Sequence, residues 1–97
     1  MSDIFENAKA KTYIGFAVKS GKTVYGLDNI ESYRKRIHLL VICSTAGKGL
    51  KRNLNMYAEN KEIALIETKN LSEIVHKENV KAVGVTDKNL AKAIMQL

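Results

Sequence analysis

A run of seven residues, IHLLVIC at positions 37–43, places the strongest constraint on how this chain can fold. All of its residues except His38 are apolar, so apolar and polar residues do not alternate as they would in a strand with one solvent-exposed face. The run therefore predicts a central strand that is covered by other elements on both faces of its sheet.

Patterns on either side of this run predict an α-β-α-β-α-β-α-β-α order. We expect further strands at KTVYG, EIALIET and VKAVGVT, and helices over residues 3–19, 27–36, roughly 48–60, around 71–75 and 87–97. A chain of 97 residues suffices for one domain. The sequence therefore predicts an α/β fold, a three-layer α-β-α sandwich with a central mixed four-stranded sheet, as a single domain over residues 1–97.

Polar residues just before these helices are candidate caps. Asp3 can cap the first helix, with Glu6 in capping-box spacing, and Ile4, Phe5, Ala8, Ile14, Ala17 and Val18 trace its apolar face. Ser44 or Thr45 can cap the third helix, and Thr86 or Asp87 the last. Tyr33 and Tyr57 fall at core-facing positions.

The charge balance indicates a polyanionic partner. Sixteen Lys and Arg against ten Asp and Glu give a formal charge of +6 and a pI near 9.5. For a small domain this favours RNA or DNA ahead of a membrane surface. Since most of the basic residues are Lys, a solvated basic surface remains an alternative.

Little in the sequence supports catalysis. The single cysteine, Cys43, lies at the end of an apolar strand, and we expect it to be a small buried hydrophobic residue. His38 and His76 form no metal-ligand spacing, and no paired carboxylates occupy a motif. We expect no enzyme activity, no metal and no cofactor. The chain has no apolar run of membrane-spanning length and no signal-peptide core, so we expect a cytoplasmic protein.

Gly21-Lys22-Thr23 resembles the end of a phosphate-binding loop, but its context differs. Five residues rather than four separate Gly15 from Gly21, and the triplet leads from a helix into a strand. In a nucleotide-hydrolysing loop the order is strand and then helix. The motif therefore argues against triphosphate chemistry.

Two strand-to-helix segments combine glycines with basic residues: GKTVYGLDN and STAGKGLKRN. In layered α/β folds, functional residues often lie in such strand-to-helix loops, where helix N-termini carry partial positive charge. The candidate phosphate contacts are Lys22, Lys48, Lys51 and Arg52. We expect them to share one surface.

Three segments resemble the ribosomal-protein family that binds kink-turn RNA, the L-seven-Ae and L-thirty-e type, and within it the small bacterial branch. They are YIGFAVKSGKTVYGLDNIES, LLVICST and VKAVGVTDKNLAKAI, so the resemblance covers nearly the whole chain. It implies the sandwich fold and a turn of the form Gly-x-Asn-Glu-x-x-Lys that enters the RNA at sheared G·A pairs.

Position by position, Gly26 matches the glycine of that turn. Asp28 lies where the family has Asn, Asn29 lies where it has Glu, and Ser32 lies where it has Lys. Lys22 matches a basic position of the bacterial branch. The loop after the central strand is usually Ala-x-Asp, and here it contains Ser44 and Thr45. In the late loop, Ser72 and His76 occupy positions where glycines are common.

The resemblance and the charge predict a non-catalytic, monomeric RNA-binding protein of ribosomal type, with structured RNA, ribosomal or kink-turn, or the ribosome as partner. Asp28 and Asn29 would read base edges, although Asp and Asn are also ordinary at helix starts. The alternative is a protein-interaction or regulatory module on the same scaffold with degraded RNA binding.

Overall fold

The structure is a computed structural model that describes residues 3–97. A sheet of four strands in this range lies between two layers of helices, so the predicted α/β sandwich is confirmed. The strands are β1 (Thr23–Tyr25), β2 (Leu39–Cys43), β3 (Ala64–Thr68) and β4 (Ala82–Val85). The helices are α1 (Ala8–Lys19), α2 (Leu27–Ser32), α3 (Lys48–Lys61), α4 (Leu71–Val75) and α5 (Lys88–Met95), and a 3-10 turn (Ile4–Glu6) precedes them.

The strand order is β1-β4-β2-β3. Strand β4 is antiparallel to β1 and β2, whereas β2 and β3 are parallel. Consequently β1, β2 and β3 all point the same way. We call the end of the sheet where these three strands finish and β4 begins the carboxyl end, and the opposite end the amino end.

Strand β2 is the centre of the core, as its apolar run predicted. All five of its residues are buried, and they alternate between the two faces of the sheet. Leu39, Val41 and Cys43 pack against α1, α4 and α5, while Leu40 and Ile42 pack against α2 and α3. Each residue of the run thus contributes to one of two apolar layers.

The first helix begins later than predicted. Residues 4–6 form the 3-10 turn, and the side chain of Asn7 accepts a hydrogen bond from Lys9 N to cap α1. The Asp3 carboxylate caps the turn instead, and it also bonds to Thr68, far along the chain. The predicted capping box of Asp3 and Glu6 on one continuous helix is therefore wrong, and Ala8 is exposed rather than part of the apolar face.

Helix α2 ends at Ser32, four residues before the predicted end at 36. Tyr33 is already extended, with φ −66° and ψ 123°. Beyond this extended segment, Ile37 is buried against Gly84 of β4. The last helix is capped as expected by Asp87, whose carboxylate accepts a hydrogen bond from Leu90 N. Within residues 3–97, no helix has the length and apolar character needed to cross a bilayer.

Candidate nucleic-acid interface

The two glycine-containing strand-to-helix turns, between β1 and α2 and between β2 and α3, meet at the carboxyl end of the sheet. Because β1 and β2 run in the same direction, the turns after them emerge at the same end. Gly26 N donates to Ala82 O at 3.0 Å and Cys43 N donates to Lys81 O at 2.8 Å, which ties both turns to the start of β4. Helices α2 and α3 then pack on the same face of the sheet.

The turn between β1 and α2 depends on Gly26. Its φ of 83° and ψ of 154° lie in a region that is essentially restricted to glycine. The side-chain amide of Asn29 donates to Tyr25 O at 2.8 Å and so braces the turn from within the protein. Asp28 and Ser32 are exposed on α2. Of the predicted base-reading groups, the Asn29 amide nitrogen thus already has a structural partner.

The loop between β2 and α3 is held by a side-chain bond rather than by a helix cap. The Lys81 ammonium donates to the Thr45 hydroxyl at 2.8 Å. Helix α3 starts after Gly47 without any side-chain cap, so the prediction that Ser44 or Thr45 caps it is wrong. Thr45 follows a tight turn in which Ala46 N donates to Cys43 O, and its hydroxyl is bonded back toward β4.

Cys43 is buried beneath this loop, as predicted, with 4% of its surface exposed. Burial raises the pKa of its thiol, but hydrogen bonds from the Thr45 hydroxyl and from backbone groups of Thr45 and Leu71, together with the Lys81 charge, lower that pKa below its ordinary value. The Sγ atom lies 3.2 Å from the Thr45 hydroxyl oxygen. The thiol therefore belongs to the packing that supports the loop.

Three of the four predicted phosphate contacts lie together on α3. Lys48 opens the helix, and Lys51 and Arg52 follow one turn later. Lys48 and Arg52 are exposed and Lys51 is half-buried. The first turn carries no acidic residue. Its free N–H groups and these cations both favour a negatively charged ligand.

Lys22 does not join this group, so the expected single surface is wrong for that residue. Lys22 precedes β1, whereas Lys48 follows β2, and the two strands run in the same direction. A residue before one strand and a residue after the other must therefore lie at opposite ends of the sheet. The backbone confirms it, since Thr86 N, just beyond β4 at the amino end, donates to Lys22 O at 2.9 Å.

The segment between α4 and β4 adds basic residues that the sequence analysis did not select. The Lys77 ammonium lies 4.9 Å from the centre of the Tyr25 ring, and Lys81 holds Thr45. His76 has a φ of 57°, the left-handed region that favours glycine. Lys77 and Lys81 were missed because they reach the carboxyl end only where the chain returns into β4. Within residues 3–97, no cluster of three or more His, Cys, Asp or Glu side chains could hold a metal ion.

Comparisons with known proteins establish the fold alone. No protein family and no curated protein sequence matches the chain. Among solved structures, it is similar to a protein of unknown function from Bacillus halodurans, with a TM-score of 0.81 and 18% sequence identity. The match covers 93% of this chain and 96% of the other. The shared layered architecture therefore extends over nearly the whole of both molecules.

Proposed function

We propose that this protein is a non-catalytic RNA-binding protein of ribosomal type that grips structured RNA with the carboxyl end of its sheet. The observation that carries the proposal is that two strand-to-helix turns meet at this end of the sheet. The turn between β1 and α2 contains Gly26, and the loop between β2 and α3 leads into the basic first turns of α3. Lys48, Lys51 and Arg52 contact phosphates. Gly26 allows close approach, while Asp28 and the Asn29 amide oxygen accept hydrogen bonds from base edges.

Structured RNA suits this surface better than a regular duplex. A-form grooves hide base edges from side chains, whereas bends and internal loops expose them. Ser32, Ser44 and Thr45 add short polar groups around the same turns. The resemblance to kink-turn-binding ribosomal proteins supports a kink-turn or ribosomal RNA as the partner. We propose that the protein acts as a monomer in the cytoplasm, bound to such an RNA or to the ribosome.

A gel-shift titration at fixed salt tests this proposal. It compares a kink-turn hairpin with a hairpin whose G·A pairs are replaced by Watson–Crick pairs. We expect tighter binding of the kink-turn, and the Asn29→Ala variant should reduce that preference because one base-edge contact is lost. A matched circular dichroism melt checks that the Asn29→Ala protein remains folded. Equal affinity of the wild type for both hairpins would contradict kink-turn recognition.

Charge-reversal variants test whether RNA binding depends on the cations at the start of α3 or only on the net charge of the protein. Lys48→Glu/Lys51→Glu should weaken both hairpins alike by about tenfold or more, since phosphate contacts carry no sequence information. The control is Lys9→Glu/Lys92→Glu, which makes the same change of charge on α1 and α5, in the other helix layer. Equal losses in the two variants would show that only net charge matters.

One observation favours the alternative, a protein-interaction module on the same scaffold. Phe16 on α1 exposes 63% of its surface, and Met95 on α5, in the same helix layer, exposes 43%. A contiguous patch of such exposed apolar side chains would suit a protein contact. This function would leave the wild type without measurable affinity for either hairpin at physiological salt, and Phe16→Ala would not change the RNA results.

A further inference from the structure

A basic groove runs along the exposed side of α2 and onto the loop that follows it, away from the α3 helix start. It consists of two adjoining shallow cavities. The first, of about 440 Å³, is lined by residues of β1 and by Asn29, Ser32, Tyr33 and Arg34. The second, of about 260 Å³, lies at the amino end, with Arg34, Lys35, Arg36 and Lys61 among its lining residues. Tyr33 and Arg34 belong to both cavities, so we treat them as one amino-end groove.

All of the charged side chains that line this groove are basic. Arg34, Lys35 and Lys61 are exposed, and no carboxylate lines either cavity among the residues that the structure describes. Arg36 has a different part, because its guanidinium donates to Glu62 O at 3.2 Å and anchors the loop to the end of α3. Arg34 and Lys35 are thus presented to solvent from a loop whose backbone is tied down, and Lys61 is presented from the end of α3.

The walls of the groove are aromatic. Tyr33 and Tyr57 are half-buried, and the Tyr57 hydroxyl donates to Ile30 O at 3.3 Å, which fixes its ring. Ile37 and Ile63 are the buried apolar residues beneath them. Cations beside tyrosine rings are the combination with which proteins bind single-stranded nucleic acid, phosphates on the charges and bases on the rings. An acidic peptide would use the charges but not the rings.

We propose that the amino-end groove is a second RNA-binding surface that takes a single-stranded segment. Arg34, Lys35 and Lys61 contact its phosphates, and Tyr33 lies against a base. The inference rests on the proposed function in that both surfaces serve one RNA. Asn29 lines the first cavity and also braces the Gly26 turn, so the groove begins where the structured-RNA site ends. A strand leaving a structured element can therefore continue along α2 into the groove.

The test uses the full chain and two labelled RNAs, the kink-turn hairpin alone and the same hairpin with a ten-nucleotide oligouridine tail. We expect the tail to tighten wild-type binding about threefold to tenfold. Arg34→Glu/Lys35→Glu should abolish this gain and leave the affinity for the untailed hairpin within about twofold. It should also lower the salt slope for the tailed RNA by roughly 0.7 for each lost phosphate contact. The Lys48→Glu/Lys51→Glu variant should instead weaken both RNAs.

The outcomes distinguish the two proposals. If the wild type binds the hairpin but the tail adds nothing, or if the gain survives in Arg34→Glu/Lys35→Glu, the groove is not an RNA surface, whereas the carboxyl-end site stands. If the wild type binds neither RNA, the proposed function fails first. A polyglutamate peptide that displaces the tail as well as free oligouridine does would assign the groove to an acidic protein. Lys61→Glu, on α3 rather than the loop, replaces the double variant if that protein does not fold by circular dichroism.

Discussion

The carboxyl end and the amino end of the sheet are held by different kinds of contact. At the carboxyl end, side chains bond segments that are distant in sequence. The Asp3 carboxylate accepts from the Thr68 hydroxyl at 2.7 Å and from Lys69 N at 2.9 Å. Within the shorter segment between α4 and β4, the Ser72 hydroxyl accepts from Val80 N at 2.9 Å. Lys81 completes the pattern by holding Thr45.

At the amino end, the loop over residues 33–38 is anchored mainly by burial. Ile37 is 1% exposed and packs against β4, while Arg34, Lys35 and Arg36 project around it. The side-chain bond from this loop runs from Arg36 to the carbonyl that ends α3. The cations are therefore carried on a short extended segment, in contrast to the helix start that carries Lys48.

This difference separates two ways of presenting charge. The α3 helix start offers cations together with fixed N–H groups, an arrangement suited to a rigid, bent RNA. The amino-end loop offers cations on adaptable side chains beside tyrosines, which suits a flexible strand. If the comparison is right, damage to the carboxyl-end bonds should cost more folding stability than damage at the amino end.

The largest expected effect comes from removing the Asp3 carboxylate. Asp3→Ala should lower the free energy of unfolding by about 2 kcal/mol, because the 2%-exposed Thr68 hydroxyl loses its charged acceptor. Arg36→Ala should cost only about 0.5 kcal/mol, since an exposed cation at a helix end contributes little. Urea denaturation of both variants measures the difference. A larger loss for Arg36→Ala would reverse the comparison.

A somewhat smaller effect is expected at the glycines that precede α2 and α3. Gly26→Ala should lower the free energy of unfolding by about 1–2 kcal/mol, because alanine is strained at a φ of 83°. Gly47 has a φ of −66°, and a Cβ at either glycine would meet nothing within 4 Å. Gly47→Ala should therefore cost less, about 0.5 kcal/mol, from the poorer fit of alanine at the N-cap of α3 alone. Similar losses in both variants would mean that backbone strain is not what fixes the first turn.

The sequence predicted the order of elements because hydrophobic periodicity is a local property. The run at 37–43 was enough to identify β2, and the caps and glycines bounded most helices to within a few residues. The helix predicted over 27–36 was too long because nothing local requires it to stop at Ser32. Leaving the helix at Ser32 is compatible with the long-range contact of Ile37 in the core beside β4, which no local pattern specifies.

The candidate site was predicted less well, because it depends on how strands are oriented relative to one another. Lys22 and Lys48 lie in similar glycine-containing segments, yet one precedes its strand and the other follows it. Lys77 and Lys81 arrive from a segment that enters the sheet antiparallel to β2. The bond between Asp3 and Thr68 spans 65 residues. No local pattern in the sequence specifies such neighbours.

The smallest expected effect is a dependence of stability on pH that originates at the carboxyl end. Burial raises the pKa of the Asp3 carboxyl, but bonds from the Thr68 hydroxyl and from the N–H groups of Phe5 and Lys69, with the Lys69 charge, bring it below its ordinary value of 3.8. The folded state then binds fewer protons than the unfolded state, so stability should be full above about pH 5 and fall as pH drops through the lowered pKa.

The Asp3→Asn variant isolates this contribution. Its amide cannot titrate, so its free energy of unfolding, measured in urea between pH 2.5 and pH 5, should fall less steeply with acid than that of the wild type. Glu62→Gln, which removes an exposed carboxylate at the end of α3, is the matched control for the loss of one negative charge. If Asp3→Asn and the wild type lose stability in parallel, the bonds to Thr68 and Lys69 do not favour the charged carboxylate. The contrast between the two ends of the sheet would then rest on the Lys81–Thr45 and Ser72–Val80 bonds and not on the Asp3 carboxylate.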